Sequence, residues 1–329
     1  MLTIRWGGSE NHVVQDFRWT ILGSGTSAGV PVIGCDCRVC TSDDSRDQRL
    51  RCSSYLSFVD ATGQERGILI DASPDLRQQV LRHRIQRVDA ILFTHHHVDH
   101  IFGLDEVRRF NVVMGEPINI YAESRTMENL QRIYKHIFEA ERNVNPSFVA
   151  SLIPNFIEPD VPLQLYGLVI TPVRLMHGRM PIVGFRVERD DAHDADASFG
   201  KGETSETTGG GNAASDSSVS AEAAADSTSQ ELSRDPLPLA YCTDVSSIPP
   251  ESWSQLTGLR TLIIDALRFR HHPTHFNIDQ AVQAATEVQA EQTFLIHMTH
   301  DIMHAEVEPE LPEQIHLAWD GLTLGASIS

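Results

Sequence analysis

The stretch FTHHHVDHIFG, residues 93–103, places His95, His96, His97, Asp99 and His100 inside six consecutive positions of a 329-residue chain that holds 16 histidines. Imidazole is the commonest metal ligand, and a carboxylate among imidazoles suits a divalent cation. Histidine clusters also occur as solvated surface, so the flanks have to decide. Residues 88–94, VDAILFT, form an apolar run that reads as a buried strand, and GLDEVRRF from residue 103 reads as the start of a helix. Donors at the carboxyl end of a core strand sit on a loop held by rigid scaffold, where sites are usually built. The stretch therefore predicts a metal site at the end of a central strand.

The rest of the chain should then supply further donors at equivalent strand ends, since a catalytic metal needs three or four protein ligands and two metals need more. Three places do so: LVITPVRLMHG delivers His177, PLAYCTD delivers Asp244, and TFLIHMTH delivers His297 and His300. Each follows an apolar run, as the first cluster does. A lone histidine after a strand is often structural; four such deliveries are harder to dismiss.

Strands are expected at 19–22, 55–59, 68–70, 90–93, 118–121, 168–173, 184–187, 239–242, 261–264 and 293–296, with helices between them. Ser73 and Pro74 read as the cap of DLRQQVLRHR, Ser124 as the start of a helix with Met127, Leu130, Ile133 or Tyr134, and Ile137 on one face, and Asn277 as the cap of IDQAVQAATEVQA. Alternating strands and helices over a large core predict a layered α/β protein. Residues 190–235 stand apart, with 11 acidic residues against Lys201 and Arg234 and almost nothing large and apolar. Such a segment cannot offset its ordering entropy by burial, so disorder is expected there. Strand-like sequence on both sides makes it an insertion in a strand connection.

Composition narrows the partners. With 26 Lys and Arg against 45 Asp and Glu, the net charge is −19, a surface that repels long nucleic acids and anionic membranes. No apolar run approaches the ~20 residues of a membrane helix, and MLTIRWGGSENHVVQDF lacks the charged-then-apolar pattern of a signal peptide. A cytoplasmic location is expected. Five cysteines, three of them crowded, fit metal binding better than a disulfide framework.

Those three are Cys35, Cys37 and Cys40 in LGSGTSAGVPVIGCDCRVC, spaced C-x-C-x2-C. One further ligand would complete a tetrahedral zinc site, and Cys52 is one option; an iron–sulfur cluster, which needs four cysteines, is not excluded by the spacing. The preceding glycines, Gly23, Gly25 and Gly29, lead into VPVIGCDC and not into a helix, which argues against dinucleotide binding. A tight turn with backbone amides near the metal site is the expectation, and a substrate oxyanion could use it.

HHHVDH fits H-x-H-x-D-H, and the later order His177, Asp244, His297 resembles the remaining two-metal site of the metallo-β-lactamase superfamily. The resemblance runs from residue 18 onward, the insertion excepted. It implies a four-layer αβ/βα sandwich, two mixed sheets face to face with helices outside, in a single hydrolase domain over residues 1–329. It also implies one divalent ion on His95, His97 and His177 and a second on Asp99, His100 and His297, with Asp244 bridging; zinc or manganese would serve. His96 is left as a neighbour.

The glycine–cysteine segment beside a complete histidine motif resembles the PhnP-like branch, the phosphoribosyl cyclic phosphodiesterases. That implies a structural zinc on Cys35, Cys37, Cys40 and His300. The catalytic residues implied are Asp99 and, as general acid, His275 in DALRFRHHPTHF, with His271 and His272 as rivals; Arg268 is a further option as a clamp on a second phosphate. The expected reaction is hydrolysis of a small, even cyclic, phosphodiester by water activated between two cations, in a homodimer. Thioester or lactone hydrolysis at the same site is the alternative. So is a non-catalytic accessory role like that of the PqqB proteins of quinone-cofactor biosynthesis, which share the glycine–cysteine segment without the full histidine motif.

Overall fold

The computed structural model describes residues 14–144, 148–190, 231–232 and 234–325. Most of the 190–235 insertion, with its expected disorder, lies outside the described residues. The first sheet holds β1 (Gln15–Gly23), β2 (Ser53–Val59), β3 (Glu65–Ile70), β4 (Ala90–Leu92), β5 (Ile118–Ala122) and β6 (Leu152–Phe156). The second holds β7 (Leu163–Leu165), β8 (Leu168–His177), β9 (Met180–Arg189), β11 (Leu239–Cys242), β12 (Thr261–Asp265), β13 (Gln292–Ile296) and β14 (Ile315–Leu317). Two short strands, β10 (Glu231–Leu232) and β15 (Thr323–Leu324), return to the first sheet beside β1.

Both sheets are mixed. The first runs β10-β15-β1-β2-β3-β4-β5-β6, antiparallel through β1–β3 and parallel from β3 to β6. The second runs β14-β13-β12-β11-β9-β8-β7, antiparallel from β7 to β11 and parallel from β11 to β14. Strands β9 and β11, on either side of residues 190–235, are antiparallel neighbours.

The period of two along each strand separates the layers. On β4, Ala90 and Leu92 point between the sheets, where they join Trp19, Leu56 and Ile68 and meet Phe185, Tyr241, Ile263 and Phe294 of the second sheet. Ile91 points the other way, onto Leu76 of α1 (Leu76–Arg82), Phe110 of the third helix, α3 (Arg108–Met114), and Met127 and Leu130 of α4 (Ser124–Ile133). On the second sheet Leu262 and Ile264 face Ile278, Ala281 and Ala285 of the sixth helix, α6 (Ile278–Val288). Strands buried on both faces are apolar along their middle, which is why AIL of β4 and LII of β12 read as plain runs. The result is the expected αβ/βα sandwich. No helix among the described residues is long and apolar enough to cross a membrane.

Helix ends follow local chemistry. Asn277 caps α6 through a reciprocal pair, its side chain accepting from the Gln280 amide while the Gln280 side chain accepts from the Asn277 amide. The expected cap at Ser73 differs: its hydroxyl donates to Gln79 Oε1, α1 begins at Leu76 without a side-chain cap, and the chain leaves the helix before Arg84 at φ 52°. On α4 the inward residue is Tyr134, buried, and not Ile133. Strand β6 was not expected; it is an edge strand with a half-exposed pattern and a proline, which carries little periodic signal.

Candidate metal centre

Most of the centre hangs from strand ends. Asp71, directly after β3, accepts at Oδ1 from the Thr94 amide (2.8 Å) and at Oδ2 from Thr94 Oγ1 (2.8 Å) and His100 Nδ1 (2.7 Å). This carboxylate pins the loop after β4 to the loop after β3. With the Thr94 hydroxyl given to Asp71, its oxygen accepts from His95 Nδ1 at 3.0 Å. His177, the last residue of β8, donates its Nδ1 proton to the Thr274 carbonyl at 2.7 Å. Each of these imidazoles thus has one nitrogen fixed by the protein, leaving Nε2 for the interior of the site.

The second short helix, α2 (Val98–Ile101), carries Asp99 and His100 into the same space. His100 Nε2 lies 3.2 Å from Asp244 Oδ1 and 3.4 Å from Asp99 Oδ2; His297 Nε2 lies 3.4 Å from Asp244 Oδ2 and 3.8 Å from Asp99 Oδ2; His95 Nε2 lies 3.8 Å from Asp244 Oδ2. Two donor groups result, His95, His97, His177 and Asp244 in one and Asp99, His100, Asp244 and His297 in the other, each with donor atoms within 4.8 Å of one another. Asp244 belongs to both. His96 belongs to neither. Asp71, Asp244 and His297 all take left-handed backbone conformations, at φ 58°, 58° and 62°, as strained strand-end residues at functional sites often do.

Buried Nε2 atoms of His95, His100 and His297 have no hydrogen-bond partner. Orphaned imidazole nitrogens converging on shared carboxylates are costly unless something satisfies them, and a divalent cation fits that donor set. Electrostatics are strongly coupled. Burial pushes the His95 imidazole well below its usual range, and His100 adds to the effect. At His100 and His297 burial works the same way but loses to the carboxylates, Asp244 foremost, so both are held up, His297 at about 9. Burial would raise Asp244 and Asp99, yet the histidines, His297 first for Asp244 and His100 first for Asp99, hold both carboxyls far down.

Beside the two groups, His275 donates Nδ1–H to Asp265 Oδ2 at 2.8 Å and stacks on His297 with ring centroids 4.7 Å apart. Asp265 Oδ1 stands 3.7 Å from His297 Nδ1. Burial lowers His275 to about 4, with His297 as the next cause, and burial holds the Asp265 carboxyl far up. Among its rivals His271 is exposed, and His272 is half-buried with Nδ1 turned to Thr274 Oγ1 at 3.1 Å. Arg268 folds back on the carbonyls of Arg270 and His271. Asp71 and Asp265 were missed from sequence, although Asp71 directly follows β3 and Asp265 ends β12 (ILID and LIID), a strand-end delivery like that of His95 and Asp244.

The cysteines make a separate group. The sulfurs of Cys35, Cys37 and Cys40 lie 3.2, 3.4 and 3.4 Å from His300 Nδ1. Three thiols converging on one imidazole nitrogen match a tetrahedral zinc donor set. The Cys40 amide leads in drawing the Cys37 thiol down to about 6, and burial pushes Cys40 up to about 11. Cys52 is elsewhere, in the core between the sheets. In the glycine turn the Gly25 amide donates to Leu50, Thr26 to Met298 and Gly29 to Thr26. Its glycines serve close approach, since a Cβ on Gly23 would lie 2.0 Å from the Arg51 carbonyl oxygen.

Arg49, fully buried, ties the two groups to one support. It donates to the carbonyls of Thr299 (3.1 Å) and Ile302 (2.8 Å) and pairs with Asp47 at 3.1 Å. His297 and His300 lie on the loop that it holds. A surface groove of about 640 Å³, lined by Tyr55, Arg66 and Arg87 among others, contains none of these donors.

Comparison with known proteins agrees with this geometry. A profile of the family described as "Beta-lactamase superfamily domain" matches residues 66–204 and 216–298. An octanoyltransferase of Porphyromonas gingivalis is 33% identical over 307 residues, which cover 93% of this chain and 51% of that protein, so the chain spans about half of that relative's length. The coenzyme PQQ synthesis protein B of Methylorubrum extorquens is 35% identical over 113 residues, covering 31% of this chain and 36% of that protein. Among solved structures, a new diphosphatase from the PhnP family superposes with a TM-score of 0.71 at 34% identity, covering 94% of this chain and 97% of that one. Zn(2+)-bound PqqB from Methylobacterium extorquens shares the fold, with a TM-score of 0.62 at 19% identity over 93% of this chain and 99% of that one. The chain belongs to the metallo-β-lactamase superfamily of metal-dependent hydrolases, on its PhnP-like branch.

Proposed function

We propose that the chain hydrolyses a small phosphodiester, cyclic ones included. The observation that carries this reading is the pair of donor groups sharing Asp244, with the Asp265–His275 pair set against one side. His95, His97, His177 and Asp244 would hold one divalent cation, zinc or manganese, and Asp99, His100, His297 and Asp244 the other; Cys35, Cys37, Cys40 and His300 would hold a structural zinc. Bound there, two cations supply Lewis acidity toward phosphoryl oxygens and lower the pKa of water. The chain's own part is orientation. Asp71, Thr94 and the Thr274 carbonyl fix which imidazole nitrogen faces the substrate, and Asp265 accepts from His275 Nδ1, leaving Nε2 as its other nitrogen. As the imidazolium, with a proton on each nitrogen, His275 would pass the Nε2 proton to the departing oxygen and keep the Nδ1 proton on Asp265.

A second reading, cleavage of a phosphoanhydride, is favoured by one observation: the PhnP-family protein that matches over nearly its whole length is described as a diphosphatase. Both reactions use the same donors and differ in the leaving group. The test is purified protein reloaded with manganese or zinc and offered bis(p-nitrophenyl) phosphate, a dinucleoside diphosphate, an octanoyl thioester and a lactone. Turnover of the first, abolished in Asp99→Ala with loss of one metal and reduced in His275→Gln with metal retained, is the expected outcome. Anhydride turnover alone selects the second reading. Thioester or lactone turnover alone, or none with a full metal complement, overturns both.

A further inference from the structure

A groove of about 420 Å³ lies between α1 and α3, away from every donor named above. Leu76, Val80, Ile85 and Phe110 line it. Leu81 and Val113, 60% and 62% exposed, also border it and carry apolar surface out to solvent. Exposed apolar surface of this kind in a hydrolase marks an interaction site more often than an accident. The rim is cationic: Arg77, Arg84 and Arg109 against Glu106 alone.

The three arginines contrast with many others of the chain. Arg46, Arg49, Arg66, Arg87, Arg108 and Arg174 each face a carboxylate within 3.1 Å. Among the described residues the side chains of Arg77, Arg84 and Arg109 make no hydrogen bond or ion pair. In a chain of net charge −19, three unpaired guanidiniums around one apolar floor form a local reversal of the surface field. Guanidinium pairs bidentately with carboxylates. α1 and α3 have 7 residues each, so the groove walls are about 10 Å long, room for two turns of a third helix.

We propose that this groove docks an acidic amphipathic helix of a partner protein, with apolar anchors at i, i+4 and i+7 on the floor and carboxylates on the three arginines. Helix-in-groove recognition has this division of labour. A long polyanion or an anionic membrane is disfavoured, because either would meet the surrounding acidic surface as well. The inference is independent of the reaction catalysed.

The test uses the full metal-loaded chain and a fluorescein-labelled helical peptide with leucines at i, i+4 and i+7 and glutamates at the outward positions. The control peptide has lysines in place of the glutamates. Saturable binding of the acidic peptide is expected, weakened by salt and weakened about tenfold or more by Arg77→Glu with Arg109→Glu, with hydrolytic turnover and thermal midpoint unchanged. Val113→Asp should weaken it as well. Equal binding of the lysine peptide, unchanged affinity in the double variant, or no saturable binding overturns the proposal. Concentration-dependent dimerisation removed by Val113→Asp also overturns it, and gives the groove to a second copy of the chain.

Discussion

The histidine–carboxylate centre and the cysteine cluster meet on one loop, His297 serving the first and His300 the second, yet they are built by opposite means. The first takes donors from the ends of β4, β8, β11 and β13, so both sheets position it, and its imidazoles are braced by Asp71, Thr94 and the Thr274 carbonyl. The second draws three donors from residues 35–40 of one loop, with Cys35 and Cys37 only half-buried. Core strands hold a donor geometry whether or not an ion is present. A loop holds one only as well as its anchors do, and here the anchors are Arg49 and Asp47.

The contrast is most sharply tested at Asp244, which serves both halves of the histidine centre. Asp244→Asn should lower turnover by about a thousandfold or more, the scale of losing several kcal/mol of transition-state stabilisation. Elemental analysis should show the histidine-site metal gone and the cysteine-site metal kept. Loss of both would mean the two regions are one unit. Next comes Arg49→Met, which removes the buried clamp on Thr299 and Ile302 and strands Asp47. A loss of about 3 kcal/mol in urea unfolding is expected, with the cysteine-site metal stripped by chelator before the other. Identical chelator sensitivity to the unaltered protein would show that the cysteine loop holds itself.

The smallest effect concerns acid. His304 is buried beside the same anchors, its amide donating to Asp47 Oδ1 at 2.8 Å, and burial, with Arg46 as the next cause, lowers its imidazole from 6.5 to about 4. A depressed pKa means the unfolded chain binds the proton first. Stability from this group is therefore complete above pH 6.5 and is lost as pH falls from 6.5 toward 4. Between pH 7 and pH 5 the unaltered protein should lose on the order of 1 kcal/mol more than His304→Gln does. Parallel stability profiles for the two would remove His304 from the account.

The same contrast explains what the sequence disclosed. The cysteine spacing is local and was readable as written, but its fourth donor lies 260 positions beyond Cys40 and only the family resemblance supplied it. Strand-end histidines were legible because each follows an apolar run. Asp71 and Asp265 follow such runs too, yet an aspartate after a strand is ordinary turn chemistry, and nothing local says that its oxygens will meet His100 or His275. Strands β7, β14 and β15, of two or three residues, fall below the length at which alternation can be seen. The partners of the glycine turn were also out of view: the amides of Gly25 and Thr26 close onto backbone carbonyls of Leu50 and Met298, which no window around residue 25 contains.

One strand pairing bears on how this molecule is made. β1 is completed by β15, with Thr20 opposite Thr323, 303 positions apart. Closing so long a loop early is entropically unfavourable, and pairings of this range slow folding. During synthesis β1 can join β2 at once, but its other edge stays open until residues 323–324 leave the ribosome. For that interval the apolar face of Trp19 and Ile21 is a surface for off-pathway association. The last strand acts as a latch, and changes at Leu324 should show first as slow refolding and aggregation, before any change in the chemistry of the finished site.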